Sequence, residues 1–423
     1  MSIFISIAAY RDPELIPTVQ NCLAKAQWPD QLRFGICWQH GDEEEIPASL
    51  KQDARFRILD VDWRESRGAC WARAQIMDLW QGEDHYLQID SHHRFAEGWD
   101  AKLLECARLT ASPKPLITTY CPSYTPGQEI LSPTEPTQMD FDYFTADGIA
   151  MFKPAFISQW RSLRRPLRAR FVSGHFLFAP GSFVEEVPYN SELYFHGEEI
   201  TLAIRAYTCG YDFFHPAEVL IWHEYTREYR RKHWGDHVES ERVELPWYER
   251  DSKSRDAVTR FLKNPHVGRF GCGSSRTFAE YEAYAGIDFS HRKVQDYTWQ
   301  GAEPPNPTAM ENSQESVPAW TVRIELKRSR LPAEALADPL FWYVGIHDTN
   351  GIEVHRHDLS GEELKHLIAD GVEYIVIERA FQSSATPDTW MVWPVAQNTV
   401  WLNKTIGCAR PVATELRPSS IAA

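Results

Sequence analysis

Residues 1–15 read MSIFISIAAYRDPEL and decide how the fold begins. The segment Ile3–Ala9 is apolar and rich in β-branched isoleucine, which favours a buried strand. It lacks the basic residues that open a secretory signal peptide, and the first charge comes at Arg11. Asp12 followed by Pro13 is typical of a helix start, with the acid as N-cap. The stretch therefore predicts a strand and then a helix, and we expect no secretory leader here.

The same alternation continues through the first 120 residues. β-rich runs alternate with runs whose apolar residues have helical spacing. Such a succession predicts a parallel, doubly wound sheet that binds ligands at the carboxyl ends of its strands. We predict further strands at Leu32–Trp38, Phe56–Val61 and His85–Ile89, and helices at Pro13–Gln27, Gly68–Trp80 and Trp99–Leu109.

Beyond residue 120 the pattern changes twice. Strands are predicted near Ala146–Lys153 and at Phe171–Ala179 and Asp212–Trp222, with a helix around Glu198–Thr208. Prolines among polar residues then indicate a linker, and the sequence after it is β-rich with one helix predicted at Gly361–Asp370. The predicted domains are an α/β domain at residues 1–287, a linker at 288–319 and a β-rich accessory domain at 320–412.

Composition excludes several classes of protein. The 423 residues carry 44 Lys and Arg against 59 Asp and Glu, a net charge of −15, which argues against a general nucleic-acid or anionic-membrane binder. No apolar run reaches the length of a membrane-spanning helix. Eight scattered cysteines without a C-x-x-C pair favour a reducing compartment, so we expect a cytoplasmic protein.

The first motif with chemistry is Asp90-Ser91-His92, directly after the predicted strand His85–Ile89. A carboxylate and an imidazole two residues apart can turn toward one divalent cation, and the mixed oxygen and nitrogen set suits Mn²⁺. Alternatively, Asp90 caps a turn and His92 is solvated. On the residues alone, the second interpretation is favoured.

Two further motifs follow strand-like or loop segments. His223 ends the run Ile221-Trp222-His223 and either completes a metal site or is a histidine hydrogen-bonded to backbone. Glu198 and Glu199 follow a glycine before a helical pattern. They either orient a hydroxyl or act as a base, or they simply complement the helix dipole. In both cases the residues alone favour the structural role.

Basic residues offer three candidate phosphate sites. Arg67 precedes Gly68 at the start of a predicted helix, where a guanidinium and helix amides together suit a phosphate, although an ordinary arginine beside a helix fits equally well. Two basic clusters, each of a kind that is more often a solvated face, are Arg161, Arg164, Arg165, Arg168 and Arg170, and Arg227, Arg230, Arg231 and Lys232. No Walker A, G-x-G-x-x-G, G-x-S-x-G or H-E-x-x-H pattern occurs.

Six short blocks occur in order along the chain: IFISIAAYRD (3–12), RGACWAR (67–73), LQIDSHHRF (87–95), SGHF (173–176), HGEE (196–199) and WHEY (222–225). Together they resemble the cytoplasmic polypeptide N-acetylglucosaminyltransferases, which add GlcNAc to a hydroxyproline of a protein acceptor. The resemblance covers roughly residues 1–290 and extends distantly to the polypeptide GalNAc-transferases, which share the D-x-H site and a later metal histidine.

The resemblance implies an α/β fold of the GT-A type, a Rossmann-like nucleotide-sugar domain followed by a smaller β-rich domain. It assigns Mn²⁺ or Mg²⁺ to Asp90, His92 and His223. It places Glu198 or Glu199 near the acceptor hydroxyl or the sugar, as the candidate catalytic residues. The residues that it implies for the UDP-sugar are Ala8, Tyr10, Arg11, Asp62, Arg67, Arg73 and Asp90.

The predicted function is therefore a metal-dependent, retaining glycosyltransferase that moves a sugar, expected to be GlcNAc, from a UDP-sugar to a hydroxyl of a protein, peptide or glycan. In a retaining reaction the acceptor attacks from the face of the leaving phosphate, whose oxygen takes the proton. Glu198 and Glu199 would orient groups, and one would act as base if the enzyme inverted. The alternatives are another donor sugar or a small-molecule acceptor on the same fold, or a non-catalytic sugar- or protein-binding module.

Overall fold

A computed structural model describes most of the chain, namely residues 1–127, 131, 134–145, 147–158, 160–226, 230–238, 243–266, 268–304, 306, 314–316, 318–337, 339–368, 373–383, 385–396 and 401–414. The chain divides into two compact units. The first comprises Met1–Phe141, Phe152–Ser290 and Gln295–Asn312, and the second Asp142–Met151, His291–Val294 and Ser313–Ala423. The domain boundaries proposed above stay a prediction, and two of the four prolines that suggested the linker, Pro305 and Pro307, lie outside the described residues.

Strands and helices alternate at the start of the chain, as predicted. Up to residue 300 the strands are β1 (Ile3–Tyr10), β2 (Leu32–His40), β3 (Phe56–Asp62), β4 (His85–Asp90), β5 (His93–Phe95), β6 (Pro115–Thr118), β7 (Thr137–Phe144), β8 (Ala150–Phe156), β9 (Leu167–Arg168), β10 (Phe176–Pro180), β11 (Asp212–His215), β12 (Ile221–His223), β13 (Ile287–Asp288) and β14 (Lys293–Gln295). The helices are α1 (Leu15–Lys25), α2 (Ala48–Gln52), α3 (Ala69–Met77), α4 (Trp99–Leu109), α5 (Phe183–Glu186), α6 (Glu198–Thr208), α7 (His233–Asp236), α8 (Trp247–Lys263), α9 (Phe278–Ala285) and α10 (Asp296–Trp299), with 3₁₀ turns at Pro29–Gln31, Trp63–Glu65 and Trp160–Ser162.

An eight-stranded sheet organises the first unit, in the order β3-β2-β1-β4-β10-β6-β11-β9. The four N-terminal strands are parallel, whereas β10 runs antiparallel to both β4 and β6. A separate antiparallel pair joins β5 to β12. Because parallel strands end at one edge of a sheet, the segments that follow β1, β3 and β4 lie at the same edge.

Burial explains why the N-terminal sequence forms central strands. β1 has neighbours on both sides, and its apolar residues Phe4, Ile5 and Ile7 are completely buried. Such strands read as continuous apolar runs because helices cover both faces of a parallel sheet. The largest aromatic side chain of this core is Trp99 of α4, which is buried and donates its indole N–H to the carbonyl of Cys22 at 3.0 Å.

Three predicted elements differ from the structure in instructive ways. The strand predicted at Asp212–Trp222 is two strands, β11 and β12, interrupted by Pro216, which cannot donate a ladder hydrogen bond. Of Phe171–Ala179, only the part from Phe176 is strand. The strand predicted near Ala146–Lys153 lies at Ala150–Phe156.

The second unit is rich in β-structure after residue 313, as predicted. Its strands and helices are β15 (Gln314–Ser316), β16 (Ala319–Lys327), α11 (Ala333–Ala337), β17 (Pro339–His347), β18 (Glu353–Arg356), β19 (Leu359–Ser360), α12 (Gly361–Leu367), β20 (Tyr374–Gln382), β21 (Thr389–Ala396), β22 (Thr405–Cys408) and β23 (Val412–Thr414), with a 3₁₀ turn at Arg328–Arg330.

Most strands of the second unit belong to two antiparallel sheets, in the orders β20-β16-β23 and β18-β17-β21-β22, with β19 also paired to β17. In β16, Val322, Ile324 and Leu326 are buried while the residues between them are exposed, as a strand with one solvated face requires. Trp342 of β17 is completely buried in the core of this unit. The largely parallel sheet of the first unit and the β-rich C-terminal part confirm the predicted α/β fold class.

Candidate functional site

The candidate site forms where strands of the first unit end. In the parallel register of β1 and β4, Ala8 lies opposite Asp90, so the D-x-H motif begins beside the end of the first strand. The antiparallel pair of β5 and β12 places His223 opposite His93. Strand pairing alone therefore brings His223 to the D-x-H motif across 131 residues of chain, from 92 to 223.

Asp90, His92 and His223 form a cluster with the donor set of a divalent-cation site. One ligand atom from each residue lies within 4.8 Å of the others. Oδ2 of Asp90 is 3.3 Å from Nε2 of His223 and 3.7 Å from Nε2 of His92. Both imidazoles are buried, but 26% of the Asp90 side chain is exposed, so the cluster opens toward solvent.

Buried nitrogen atoms without partners support a cation at this cluster. Nε2 of His92 is buried and has no hydrogen-bond partner within the described residues. An unpaired polar atom in the interior is costly, and a metal ion is one way to satisfy it. One carboxylate and two imidazoles suit Mn²⁺ or a similar ion better than Ca²⁺, which prefers all-oxygen sites. The residues present therefore fit a divalent transition-metal ion.

The electrostatics of the cluster keep its ligands in metal-binding form. Burial lowers the pKa of His223 well below its ordinary value, which keeps the imidazole neutral. Burial alone would raise the pKa of Asp90, but the charge of Arg73 and the hydrogen bond with His223 hold it well below the usual range. A neutral imidazole and an ionised carboxylate are the forms that bind metal.

Arg73 lies behind the cluster rather than in the open. Its side chain is 5% exposed, and Nη2 donates to Oδ1 of Asp90 at 2.6 Å. Nη1 donates to Oε1 of Glu198, which also accepts from the hydroxyl of Tyr189. Arg73 therefore joins α3, β4 and α6 through buried ion pairs.

The two acids at the start of α6 have different environments. Glu198 is ion-paired with Arg73, whereas Glu199 accepts hydrogen bonds from the hydroxyl of Tyr120 and from the N–H of Gly174 at 2.9 Å. Burial is the main reason that the pKa of Glu199 is raised to about 7. Glu199 is therefore poised to exchange a proton near neutral pH.

The residues predicted for the nucleotide fall into two groups. Near the end of β1, Tyr10 donates its hydroxyl to Asp236 at 3.1 Å, and buried Arg11 donates to the same carboxylate at 3.1 Å. Asp62 accepts from the N–H of Arg64 at 2.8 Å, and half-exposed Arg67 pairs with Glu244 at 3.1 Å. The structure thus places Ala8 opposite Asp90 and pairs Arg73 with Asp90. Tyr10 and Arg11 instead contact Asp236, and Asp62 and Arg67 pair with Arg64 and Glu244.

Asp12 lies in the site although it was not predicted as a site residue. The sequence predicts a helix N-cap at Asp12, but α1 begins at Leu15, and Oδ2 of Asp12 lies 2.7 Å from Nδ1 of His92. The available signal was a carboxylate two residues after the end of a parallel strand. From the second basic cluster, Nη1 of Arg230 lies 3.8 Å from the same oxygen, whereas Arg227 lies outside the described residues.

Two buried histidines also surround the cluster and were not predicted as site residues. His175 lies with its ring centroid 4.3 Å from that of His223, and its Nε2 accepts from the N–H of Cys121 at 3.1 Å. Nδ1 of His93 is 3.1 Å from the carbonyl of Asp90. Burial lowers the pKa of both imidazoles well below the ordinary value, so both rings beside the cluster are neutral.

None of the helices in the described segments is both long and apolar enough to cross a bilayer.

Solved structures of other proteins are similar to parts of this chain. GalNAc-T7, in a crystal structure with UDP, GalNAc and Mn²⁺, is 14% identical with a TM-score of 0.48; the match covers 67% of this chain and 50% of that chain, so this chain spans half of it. The TarS fragment 1–349 of S. aureus, in complex with UDP-GlcNAc, is 11% identical with a TM-score of 0.40 over 69% of this chain and 72% of that chain. TarS of S. aureus is 10% identical with a TM-score of 0.36, over 95% of this chain and 77% of that chain.

No curated protein matches the chain. The family model described as Glycosyltransferase (GlcNAc) matches residues 2–55 and 48–291. The match spans more than half of the sequence and contains the Asp90, His92 and His223 cluster. The chain belongs to the Glycosyltransferase (GlcNAc) family.

Proposed function

We propose that the protein transfers GlcNAc from UDP-GlcNAc to a hydroxyl group of a polypeptide, in the manner of a hydroxyproline GlcNAc-transferase, or of a glycan. The observation that carries the proposal is the cluster of Asp90, His92 and His223 at the carboxyl end of β4, inside the region matched by the family model. In an open α/β sheet this edge is where ligands bind. The name of the family supports GlcNAc as the donor sugar.

The proposed cofactor is Mn²⁺ or Mg²⁺, held by Asp90, His92 and His223. Such an ion, when bound, supplies positive charge that stabilises a departing diphosphate. The chain contributes a preformed set of ligands, in which His223 is a neutral donor and Asp90 is kept ionised by Arg73. The nucleotide would lie along the ends of β1 and β3, near Ala8, Tyr10, Arg11 and Asp62, with Arg67 and Arg73 toward its ribose and phosphates.

Glu198 and Glu199 are proposed to orient the reacting groups. Glu198 is held by Arg73 and Tyr189, so it fixes the arginine next to the cluster. Glu199 is a partly buried acid whose pKa of about 7 lets it carry a proton at neutral pH. In a retaining transfer the leaving phosphate oxygen takes the proton of the acceptor, and Glu199 positions the acceptor without deprotonating it.

Organisation and location complete the proposal. The transferase domain is proposed at residues 1–287, joined by the linker 288–319 to an accessory domain at 320–412. Free thiols at all eight cysteines are the state that a reducing compartment maintains, and this supports a cytoplasmic protein. The expected partners are a nucleotide sugar and a protein, peptide or glycan acceptor, and neither a nucleic acid nor a membrane.

Calorimetric titration of the full chain with UDP-GlcNAc, UDP-GalNAc, UDP-glucose and GDP-mannose, with and without Mn²⁺, tests the proposal. We expect Mn²⁺-dependent binding of UDP-GlcNAc and slow release of UDP. Asp90→Asn should abolish the Mn²⁺ dependence, whereas the control Asp60→Asn, which changes an exposed acid of β3, should leave it unchanged. Binding of UDP-GlcNAc that ignores Mn²⁺ would favour a sugar-binding module instead, and preference for another sugar would change the donor.

A further inference from the structure

We infer that Asp12 is a positioning residue for the proposed metal site, because it selects the tautomer of His92 and fixes the orientation of its ring. The inference rests on the proposed function, since it concerns the same metal ion. Asp12 lies in the loop after β1, and its side chain is 1% exposed. It touches His92 rather than the place where a cation would bind.

The loop after β1 holds the Asp12 carboxylate in a fixed position. Oδ1 accepts the N–H of Glu14 at 2.9 Å, which ties the side chain to its own turn. Oδ2 accepts the hydroxyl of Ser91 at 2.7 Å and faces Nδ1 of His92 at 2.7 Å. Both oxygens therefore have donors, and only one orientation of the carboxylate satisfies all of them.

The contact determines which nitrogen of His92 is free to bind metal. A carboxylate accepts hydrogen bonds, so the Nδ1 of His92 must carry the hydrogen and Nε2 must carry the lone pair. Nε2 is the buried atom without a partner, and it lies 3.7 Å from Oδ2 of Asp90. A carboxylate behind a ligand histidine in this way fixes the ring and makes the imidazole a stronger ligand.

The two ligand histidines differ in what holds their rings in place. Nδ1 of His223 is buried and has no hydrogen-bond partner among the described residues. His223 is instead placed by backbone pairing, because its N–H donates to the carbonyl of Pro122 at 2.9 Å. His92 follows β4 in a short turn, so its ring depends on Asp12 for its orientation.

Arg230 connects this arrangement to the segment that follows β12. Its Nη1 is 3.8 Å from Oδ2 of Asp12, and its Nε is 3.7 Å from Oε2 of Glu224, the residue after His223. The N–H of Glu224 donates to the carbonyl of His92 at 3.1 Å. Asp12 is thus reached by groups from three segments of the chain, as expected of a residue that holds a site together.

Titration of the full-length, nucleotide-free chain with Mn²⁺ tests the inference, because it measures metal affinity without catalysis. Asp12→Ala should weaken Mn²⁺ binding by about 10- to 100-fold. Asp12→Asn keeps an oxygen that accepts from Nδ1 of His92, so it should restore most of the affinity. Glu14→Gln, which changes the neighbouring acid that pairs with Arg94, is the matched control and should bind Mn²⁺ as the wild type does.

A double-variant cycle shows whether Asp12 acts through His92. His92→Ala alone should weaken Mn²⁺ binding at least as much as Asp12→Ala, and the combined variant should be no weaker than His92→Ala. Two results would show that Asp12 acts only through its charge and would overturn the inference. One is additive losses of Mn²⁺ affinity in the combined variant, and the other is an Asp12→Asn variant that binds Mn²⁺ as weakly as Asp12→Ala does. Wild-type affinity in Asp12→Ala would overturn it as well.

The failure of the inference is distinguishable from the failure of the proposed function. A wild-type chain that binds no Mn²⁺ contradicts the proposed metal site itself. A wild-type chain that binds Mn²⁺ through Asp90, with Asp12 without effect, contradicts only the role of Asp12. If Asp12→Ala does not fold, as judged by circular dichroism, ¹⁵N spectra of histidine-labelled wild type and Asp12→Asn still decide, because the inference requires His92 to carry its hydrogen on Nδ1 in both.

Discussion

Asp90 presents one carboxylate oxygen to Arg73 and the other to His223. Oδ1 accepts from Nη2 of Arg73 at 2.6 Å, and Oδ2 lies 3.3 Å from Nε2 of His223. The arginine thus neutralises the carboxylate from the buried side, while the second oxygen remains directed at the histidine cluster. This division lets a partly buried acid stay ionised and still offer an oxygen to a cation.

Replacing Arg73 with methionine tests the importance of this pairing for stability. The change leaves Asp90 and Glu198 without their cation, and breaking a buried ion pair in this way costs about 3–5 kcal/mol of unfolding free energy. Urea denaturation of the metal-free chain measures the loss. Adding Glu198→Met to the variant should recover part of it, because one uncompensated charge is then removed.

The matched control for Arg73 is an exposed arginine. Arg108 pairs with Glu105 on the surface of α4, so Arg108→Met should leave the urea midpoint unchanged. Equal losses at Arg73 and Arg108 would contradict the burial of the Arg73 network.

The raised pKa of Glu199 predicts that the stability of the protein depends on pH. The pKa is raised from 4.5 to about 7. Between these pH values the Glu199 carboxyl group is ionised in the unfolded chain but protonated in the folded chain. The contribution of Glu199 to stability is complete below pH 4.5 and is lost as the pH rises through about 7, a loss of about 3 kcal/mol. Glu199→Gln cannot ionise and should not show this loss.

Urea unfolding of the metal-free wild type and of Glu199→Gln at several pH values checks this prediction. The stability of the variant relative to the wild type should increase between pH 4 and pH 8, by about 3 kcal/mol. A difference that stays constant over this range would show that Glu199 ionises at its ordinary pKa.

Gly197 allows α6 to begin with its acids next to Arg73. It has a φ of +87°, and a Cβ atom there would lie 2.4 Å from Cγ2 of Val258. Gly197→Ala should therefore cost about 1–2 kcal/mol for the left-handed backbone and a further ~1–3 kcal/mol for the clash. Thermal and urea unfolding measure the sum.

Gly82 is the matched control because it separates strain from crowding. Its φ is +91°, but a Cβ atom would meet nothing within 4 Å. Gly82→Ala should show only the backbone cost, and it should leave Mn²⁺ affinity unchanged, whereas Gly197→Ala should weaken it through Glu198 and Arg73. Equal effects of the two substitutions would show that Val258 moves aside.

Local sequence predicted most of the N-terminal half of the fold because burial pattern and capping act over a few residues. The helix predicted at Trp99–Leu109 has the same bounds in the structure, and the first four strands agree to within two residues at their ends. The strand predicted at Asp212–Trp222 is too long, because Pro216 interrupts an apolar run that otherwise fits a single strand.

The candidate site was predictable only in part, because its contacts join distant segments. Asp90 and His92 share one motif, but their proximity to His223 depends on the pairing of β5 with β12. Asp12 and His92 are 80 residues apart and meet because β1 and β4 are neighbours in the sheet. Strand order is set by the tertiary fold, so local patterns could assign neither Asp12 to His92 nor Arg73 to Glu198.

The second unit should unfold separately from the candidate site. Trp342 is completely buried in its core and donates its indole N–H to the carbonyl of Ala335 at 3.2 Å. Trp342→Ala should destabilise this unit by about 3–5 kcal/mol. Trp99 is the matched residue of the first unit, since it is equally buried and donates to the carbonyl of Cys22 at 3.0 Å.

Scanning calorimetry with and without Mn²⁺ distinguishes the two variants. A ligand stabilises only the unit that binds it. Mn²⁺ should therefore raise the midpoint temperature of the transition that Trp99→Ala lowers, and it should not change the midpoint temperature of the transition that Trp342→Ala lowers. Mn²⁺ affinity below both transitions should be the same in Trp342→Ala and in the wild type. A single transition that responds to both substitutions and to Mn²⁺ would instead mean that the chain unfolds as one cooperative unit, and the proposed boundary between the transferase and accessory domains would be wrong.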